Sequence, residues 1–298
     1  MDAIKTVNLT KSYGKVRGIK NLNLTVSEGD FFGFIGPNGA GKSTTIHTLL
    51  GLIRPTSGSA SVLGMDIQKD REKILGCIGY LPSESSFYPG MRVKDVLKLS
   101  ASLRKTDCTK NAKELCDRLQ LDISRKAEEL SFGNRKKVGI VCALQHNPQL
   151  LLLDEPTSGL DPLMQHEFFQ ILQERHKEGA TVFLSSHVLS EIQHNCTRAA
   201  IIRDGEIITT QDVESLSKNN AKRVTIEGTA DLSGLLGIRN MKKTDNTTTF
   251  LYSGDMKPLL HTLSAGNIKD LTLAEPDLEE IFLHYYKKGG HTHDSYKA

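Results

Sequence analysis

A chain of 298 residues carrying 38 Lys and Arg against 35 Asp and Glu has a net charge of only +3, too small to imply a nucleic-acid partner, which needs a concentrated basic face. With 38% hydrophobic and 24% charged residues it has the composition of a soluble globular protein, long enough for one large domain and a smaller one. No apolar run has the length to cross a bilayer, the start Met1-Asp2-Ala3-Ile4-Lys5 lacks a secretory leader, and five scattered cysteines suggest neither a disulfide framework nor a zinc site, so a reducing cytoplasm is expected.

Residues 4–9 and 19–26 alternate apolar and polar and predict two strands of an edge sheet, with a turn over 11–14. Tyr13 in that turn can stack on a purine ring or pack on its own hairpin. Residues 30–35 predict a buried strand running into Gly36-Pro37-Asn38-Gly39-Ala40-Gly41-Lys42-Ser43-Thr44, a full match to the phosphate-loop pattern G-x-x-x-x-G-K-[ST]. A backbone that wraps phosphates must turn tightly and aim its N–H groups inward, and Gly36, Gly39 and Gly41 allow that. Lys42 then serves the β- and γ-phosphates as a mobile charge, and the Ser43 hydroxyl is placed for Mg²⁺. A helix expected over 43–50 would point its partial positive charge at the same anion.

Strands are expected over 59–63 and 74–81, the latter closed by Pro82, and residues 87–147 change to helical spacing, an insertion between two strands of the core. Leu150-Leu151-Leu152-Leu153 returns as a buried strand ending in Asp154-Glu155. Two acids ending a wholly apolar strand beside a phosphate loop predict Asp154 on the metal and Glu155 as the group that takes a proton from an attacking water. Residues 181–186 predict the next buried strand, ending at His187, which can donate to the γ-phosphate. A hairpin over 199–209 with an Asp204-Gly205 turn closes the domain, expected at 1–215.

From residue 223 strands and helices alternate over a short span. Strands at 223–226, 247–252 and 268–273 with helices at 232–236, 256–263 and 277–286 suggest a small βαββαβ module over 222–287, its last helix opened by a capping box from Asp277 to Glu280. Residues 288–298, with His291 and His293, read as a polar tail.

These motifs together resemble the ATP-binding subunit of an ABC transporter, over about residues 4–211. Leu130-Ser131-Phe132-Gly133-Asn134 looks like a variant of the family signature Leu-Ser-Gly-Gly-Gln, and residues 151–162, Leu-Leu-Leu-Asp-Glu-Pro-Thr-Ser-Gly-Leu-Asp-Pro, resemble the family's Walker B and D-loop run. His187 falls where the family has its switch histidine and Tyr13 where it has its adenine-stacking aromatic, and Gly79-Tyr80-Leu81-Pro82 resembles export-type members. The resemblance implies an α/β P-loop NTPase with an antiparallel edge sheet and a helical insertion, followed by a small α+β domain. It also implies ATP and Mg²⁺ as cofactors, hydrolysis of ATP, and a head-to-tail dimer with a second ATP-binding subunit. In that dimer Ser131 and Gly133 of one chain face the phosphate loop of the other, and Asp161 joins the nucleotide-contacting set. Transmembrane permease subunits would be the partners, and the chain would be cytoplasmic, held peripherally on the inner face of the membrane. Two motifs depart from the pattern. Phe132 and Asn134 replace Gly and Gln of the signature, and Ser83-Glu84 stands where the family has a Gln touching Mg²⁺, so an oxygen of Ser83 is the candidate metal ligand there. Alternatives are a soluble ABC-type motor on DNA or the ribosome, a phosphate-loop kinase, and a nucleotide-gated regulatory subunit with weak hydrolysis.

Overall fold

A computed structural model describes residues 1–14, 16–214, 222–244 and 246–274. The chain divides into two compact units, Met1–Thr210 and Gln211–Ala298. Among the described residues no helix is long and apolar enough to cross a membrane.

The first unit holds two sheets. β1 (Asp2–Tyr13), β2 (Val16–Ser27), β4 (Ser57–Val62) and β5 (Met65–Asp66) form an antiparallel sheet in the order β2-β1-β4-β5. β3 (Phe31–Ile35), β6 (Ile78–Leu81), β7 (Leu150–Asp154), β8 (Thr181–Ser186), β9 (Arg198–Arg203) and β10 (Glu206–Asp212) form a second, in the order β10-β9-β3-β8-β7-β6. Five of these strands, β6, β7, β8, β3 and β9, run parallel. β3, β7 and β8 are buried along their whole length. That is why they read as unbroken apolar runs: a parallel strand covered on both faces has no polar side to alternate with.

Helix α1 (Lys42–Leu49) leaves the loop after β3, packs on β7, and brings Ile46 and Leu49 into a core shared with Leu9, Leu22, Phe32, Leu152 and Phe183. Phe183 stacks on Phe32 with ring centroids 5.8 Å apart and also meets Phe34 at 5.3 Å. α2 is Arg71–Cys77. The insertion consists of α3 (Val93–Leu103), α4 (Thr109–Arg118), a 3-10 turn at Ala127–Glu129 and α5 (Phe132–Leu144), which packs on β6, α3 and α4. α6 (Pro162–Lys177) follows β7 and α7 (Leu189–Asn195) follows β8.

The second unit contains β11 (Lys222–Thr229), β12 (Ile238–Thr244), β13 (Thr247–Tyr252), α8 (Met256–Ser264) and β14 (Asn267–Ala274). Its antiparallel sheet has the order β12-β13-β11-β14, and Leu259 and Leu263 of α8 close a core over Val224, Ile226 and Phe250.

Four expectations are corrected. Residues 74–81 are not one strand: α2 runs through Cys77 and only four residues remain for β6, because Ile74 turns into the core from a helix, with Leu75 half-buried beside it. Residues 11–13 are not a turn but the end of β1, which bulges and continues until Tyr13 faces Val16. Residues 232–236 form a turn instead of a helix; Asp231 Oδ1 accepts from both Ser233 N at 3.0 Å and Ser233 Oγ at 2.6 Å, the local bonding that competes with a helical start. The strand expected to follow that helix at 247–252 is therefore preceded by another, β12, which the sequence reading had not placed. The helix expected at 277–286, its capping box and the tail with His291 and His293 lie outside the described residues.

Candidate active site

In an open parallel sheet the carboxyl ends of the strands converge on one edge, and loops leaving them build the site. Here β3 delivers the phosphate loop, β7 delivers Asp154 and Glu155, β8 delivers His187, and β6 delivers Ser83.

The phosphate loop is shaped by close approach. A Cβ on Gly36 would stand 2.5 Å from the Ile202 carbonyl oxygen and 3.0 Å from Ala40 Cβ, so only glycine lets β3 pass β9 at that point. Gly41 has φ 109, a left-handed conformation that turns the chain into α1. Pro37, Asn38 and Gly39 are exposed, Ala40 is buried, and Ser43 and Thr44 are half-buried on the first turn of α1. Lys42 is buried, and its Nζ donates to the carbonyls of Gly36 at 2.7 Å and Pro37 at 3.2 Å.

Glu155 has φ 46, in the left-handed region where a glutamate is uncommon. That turn swings its carboxylate off the line of β7 and into the cluster. Oε1 lies 3.0 Å from Lys42 Nζ, an ion-pair distance, though no directed hydrogen bond reaches it; Oε2 lies 2.7 Å from His187 Nδ1. Asp154 is fully buried. Its Oδ1 accepts from Ser185 Oγ at 2.6 Å, while Oδ2 is buried with no partner among the described residues. A buried carboxylate oxygen with no donor is costly unless a cation meets it. Among the described residues no three His, Cys, Asp or Glu converge on one point, so a divalent cation beside Asp154 would take part of its oxygen shell from phosphates, the usual arrangement for Mg²⁺. The residues present fit that ion.

Three residues that the sequence reading passed over hold these loops. Glu191 of α7 accepts from Thr157 Oγ1 at 2.6 Å and from Ser186 Oγ at 2.7 Å, so one carboxylate ties the loop after β7 to the end of β8. Ser185 reaches the Asp154 carboxylate, as described. Lys136 of α5 is 1% exposed and donates from Nζ to the carbonyls of Pro82 at 3.0 Å and Ser83 at 2.7 Å. Burial pushes the Lys136 amine down to about 8. Its only sequence signal is its place three residues before Gly139 on the same helix face, which also packs on this loop beside Ser85. Ser83 itself presents its carbonyl to Lys136.

Ser131 caps α5, accepting from Asn134 N at 3.3 Å, so Ser131 and Gly133 do open a helix. Asp161 caps α6 in the same way, accepting from Met164 N at 3.0 Å. Tyr13 is 43% exposed at the end of β1, with Lys11 Nζ 5.1 Å from its ring centroid. The structure thus brings Lys42, Asp154, Glu155 and His187 together at the ends of adjacent strands, and carries Ser131 and Gly133 on the helical insertion.

Residues 19–158 match the family model described as ABC transporter. The chain is 38% identical over 74% of its length to the bacitracin transport ATP-binding protein BcrA of Bacillus licheniformis, covering 72% of that protein. It is 33% identical over 93% of its length to the ABC transporter ATP-binding protein YhaQ of Bacillus subtilis, covering 96% of it. The linearmycin resistance ATP-binding protein LnrL of Bacillus subtilis is 30% identical over 94% of this chain and 97% of its own length. Among solved structures, an ATP-binding subunit of an ABC transporter superposes with TM-score 0.69 at 27% identity over 72% of this chain and 92% of its own. A dimeric ATP-binding cassette in a post-hydrolysis state bound to ADP and Pi gives 0.62 at 26% identity over 70% and 98%. The expected P-loop NTPase fold, ATP binding and ATPase activity are those of this group, and the chain belongs to the ATP-binding proteins of ABC transporters.

Proposed function

We propose that the chain hydrolyses ATP as one half of a head-to-tail nucleotide-sandwich dimer and that the cycle drives export through a separate membrane permease. The observation that carries the hydrolytic part is the placement of Glu155 between Lys42 and His187, 3.0 Å and 2.7 Å away. The phosphate-loop amides from Gly36 to Thr44 would hold the triphosphate. Lys42 now has two neutral carbonyls and one carboxylate around it, and a phosphate oxygen is a stronger acceptor than either carbonyl. Ser43 and Asp154 would hold Mg²⁺, with Ser83 a further oxygen on the loop after β6. The ion supplies charge that draws electron density from the phosphoryl oxygens.

Glu155 would take the proton of the attacking water, a contribution of about 10²–10⁴ in rate for a well-placed base. His187 orients that carboxylate through Nδ1 and would donate to the γ-phosphate. Tyr13, with one face open, would stack on the adenine. Ser131, the Gly133 N–H and Asp161 would act on the nucleotide of the second chain. Ser131 and Gly133 sit at the mouth of α5, where a hydroxyl, a backbone donor and a helix dipole favour an anion. Export is supported by relatives named for bacitracin transport and linearmycin resistance. The dimer is supported by the dimeric cassette that this fold superposes on. A permease would hold the chain at the cytoplasmic face of the membrane.

The test is Glu155→Gln. ATP binding persists, turnover falls about a hundredfold or more, and the variant dimerises when ATP is added; turnover near that of the wild type removes Glu155 from the base role. For the partner, capture from gently solubilised native membranes with ATP returns a polytopic membrane protein in stoichiometric amount. Recovery with only ribosomes or nucleic acid overturns the permease reading in favour of a soluble motor.

A further inference from the structure

Phe132 stands where the family signature has a glycine, and a phenyl ring added at the mouth of α5 must go somewhere. It is turned onto the chain's own Gly159. A Cβ on Gly159 would fall inside the ring, against Cδ1 and Cε1. Gly133 meets the same residue from its other side: a Cβ there would fall on the Gly159 carbonyl oxygen. Gly159 has φ 79, the left-handed conformation, so this glycine is required twice, by backbone angle and by the ring.

Gly159 lies in the loop between β7 and α6, the segment that starts at Glu155 and ends at the α6 cap Asp161. Within that loop Ser158 N donates to Glu155 O at 3.3 Å and Leu160 N to Thr157 O at 3.0 Å, while Gln165 Nε2 reaches Leu160 O at 3.1 Å. These bonds shape the loop but do not tie it to α5. The tie comes from Phe132 and Gly133. Phe132 is still 42% exposed, so this ring is not part of a core; what it covers is the loop.

We propose that Phe132 is a positioning residue that seats Gly159, so that the signature turn and the loop from Glu155 to Asp161 move as one body, and that the ring's open face is presented to a second copy of this chain. The first half stands on the intrachain contact alone; the second rests on the dimer proposed above. Van der Waals contact between a ring and a bare glycine backbone is short-ranged, so the seat depends on both partners fitting at once. A bulkier residue at 159 unseats the ring, and a glycine at 132 leaves the loop without its cover. The fit is therefore mutual, and either change alone forfeits the same contact.

Two experiments on the full chain test this. Hydrogen exchange on the protein without nucleotide compares wild type, Phe132→Gly and Phe132→Leu over the peptide 156–163. Amides there exchange about fivefold or more faster in the glycine variant and by an intermediate amount in the leucine variant, with β7 and β8 unchanged. Equal exchange in all three overturns the seating. The leucine variant, which keeps an apolar side chain on the helix, carries the comparison if the glycine variant does not fold. ATP-dependent dimerisation is then read in the Glu155→Gln background. Gly159→Ala and Phe132→Gly each weaken it, the first at least tenfold, and the double variant falls within about twofold of Gly159→Ala alone, because both changes forfeit the same contact. A double variant weakened by the full product of the two single losses overturns the mutual fit. If the Glu155→Gln protein never dimerises with ATP while the exchange result holds, the dimer reading fails and the seating stands.

Discussion

The carboxyl edge of the parallel sheet and the mouth of α5 are built by opposite means. At the sheet edge each functional side chain is held by another residue of the same chain: Lys42 by Gly36, Pro37 and Glu155, Asp154 by Ser185, Glu155 by His187, and the loops themselves by Glu191. Lys42 and Asp154 are buried, so their charges act in a low dielectric. At the mouth of α5, Ser131 and Phe132 are exposed and, among the described residues, the Ser131 hydroxyl is engaged in capping its own helix. Electrostatic stabilisation of a reacting phosphate is strong only where water is excluded. One region therefore arrives preorganised, and the other would gain its burial from the second chain of the proposed dimer.

The largest expected effect strikes the preorganised side. In Gly36→Ala the new methyl is driven against the Ile202 carbonyl and Ala40, neither of which is the free end of a flexible chain, so β3 and β9 must part. The expected cost is about 1–3 kcal/mol of stability, and loss of nucleotide binding by more than tenfold because the same backbone forms the cradle. Calorimetric titration with ATP, beside a thermal melt, reads both. Binding that survives while stability falls would mean that the cradle tolerates a shift of its first residue.

How much of this was legible follows the same division. The phosphate loop, Asp154-Glu155 and His187 were readable because parallel strands buried on both faces give unbroken apolar runs, and a polar residue ending such a run stands out. Lys136 and Glu191 were not readable, since a lysine and a glutamate in helices look like solvent-facing residues until the fold supplies the two carbonyls and two hydroxyls they bind. Phe132 could be flagged as added bulk, but not where the bulk would go, because Gly159 is brought to it by tertiary packing. The 74–81 segment misled for a simpler reason: Ile74 and Leu75 of the helix, buried and half-buried, followed closely by β6 mimic a single apolar strand.

Ser131→Ala strikes the exposed side. Losing the cap costs about 1 kcal/mol of helix stability. If the hydroxyl also acts on the second chain's nucleotide, turnover falls roughly tenfold to a hundredfold, while the ATP affinity of the isolated chain stays within about twofold. A drop in turnover no larger than the loss of folded protein would leave Ser131 a cap and nothing more. Measuring kcat, ATP affinity and melting temperature on one preparation separates the two.

The smallest effect lies on the joint between the regions. His146 follows α5, which begins at the signature and packs on β6. Its Nε2 stands 3.1 Å from Arg104 Nε, at the end of α3, and 3.1 Å from the Ile78 carbonyl that opens β6; Nδ1 is buried without a partner among the described residues. If Arg104 donates to Nε2, that nitrogen has no proton for Ile78, and the neutral ring carries its hydrogen on Nδ1. Burial, with the Arg104 charge beside it, pushes the imidazole down to about 4 from its ordinary 6.5. Between those two values the unfolded chain binds the proton and the folded one does not, so stability is full above 6.5 and is lost as pH falls toward 4. At pH 5 the loss is about 2 kcal/mol or less, since partial exposure tempers it. His146→Gln keeps an acceptor for Arg104 but cannot be protonated, so its denaturation midpoint changes less between pH 7 and pH 5 than that of the wild type. Parallel curves for the two proteins would show that His146 already finds a proton in the folded state, and that the contact between α3, α5 and β6 does not depend on keeping it neutral.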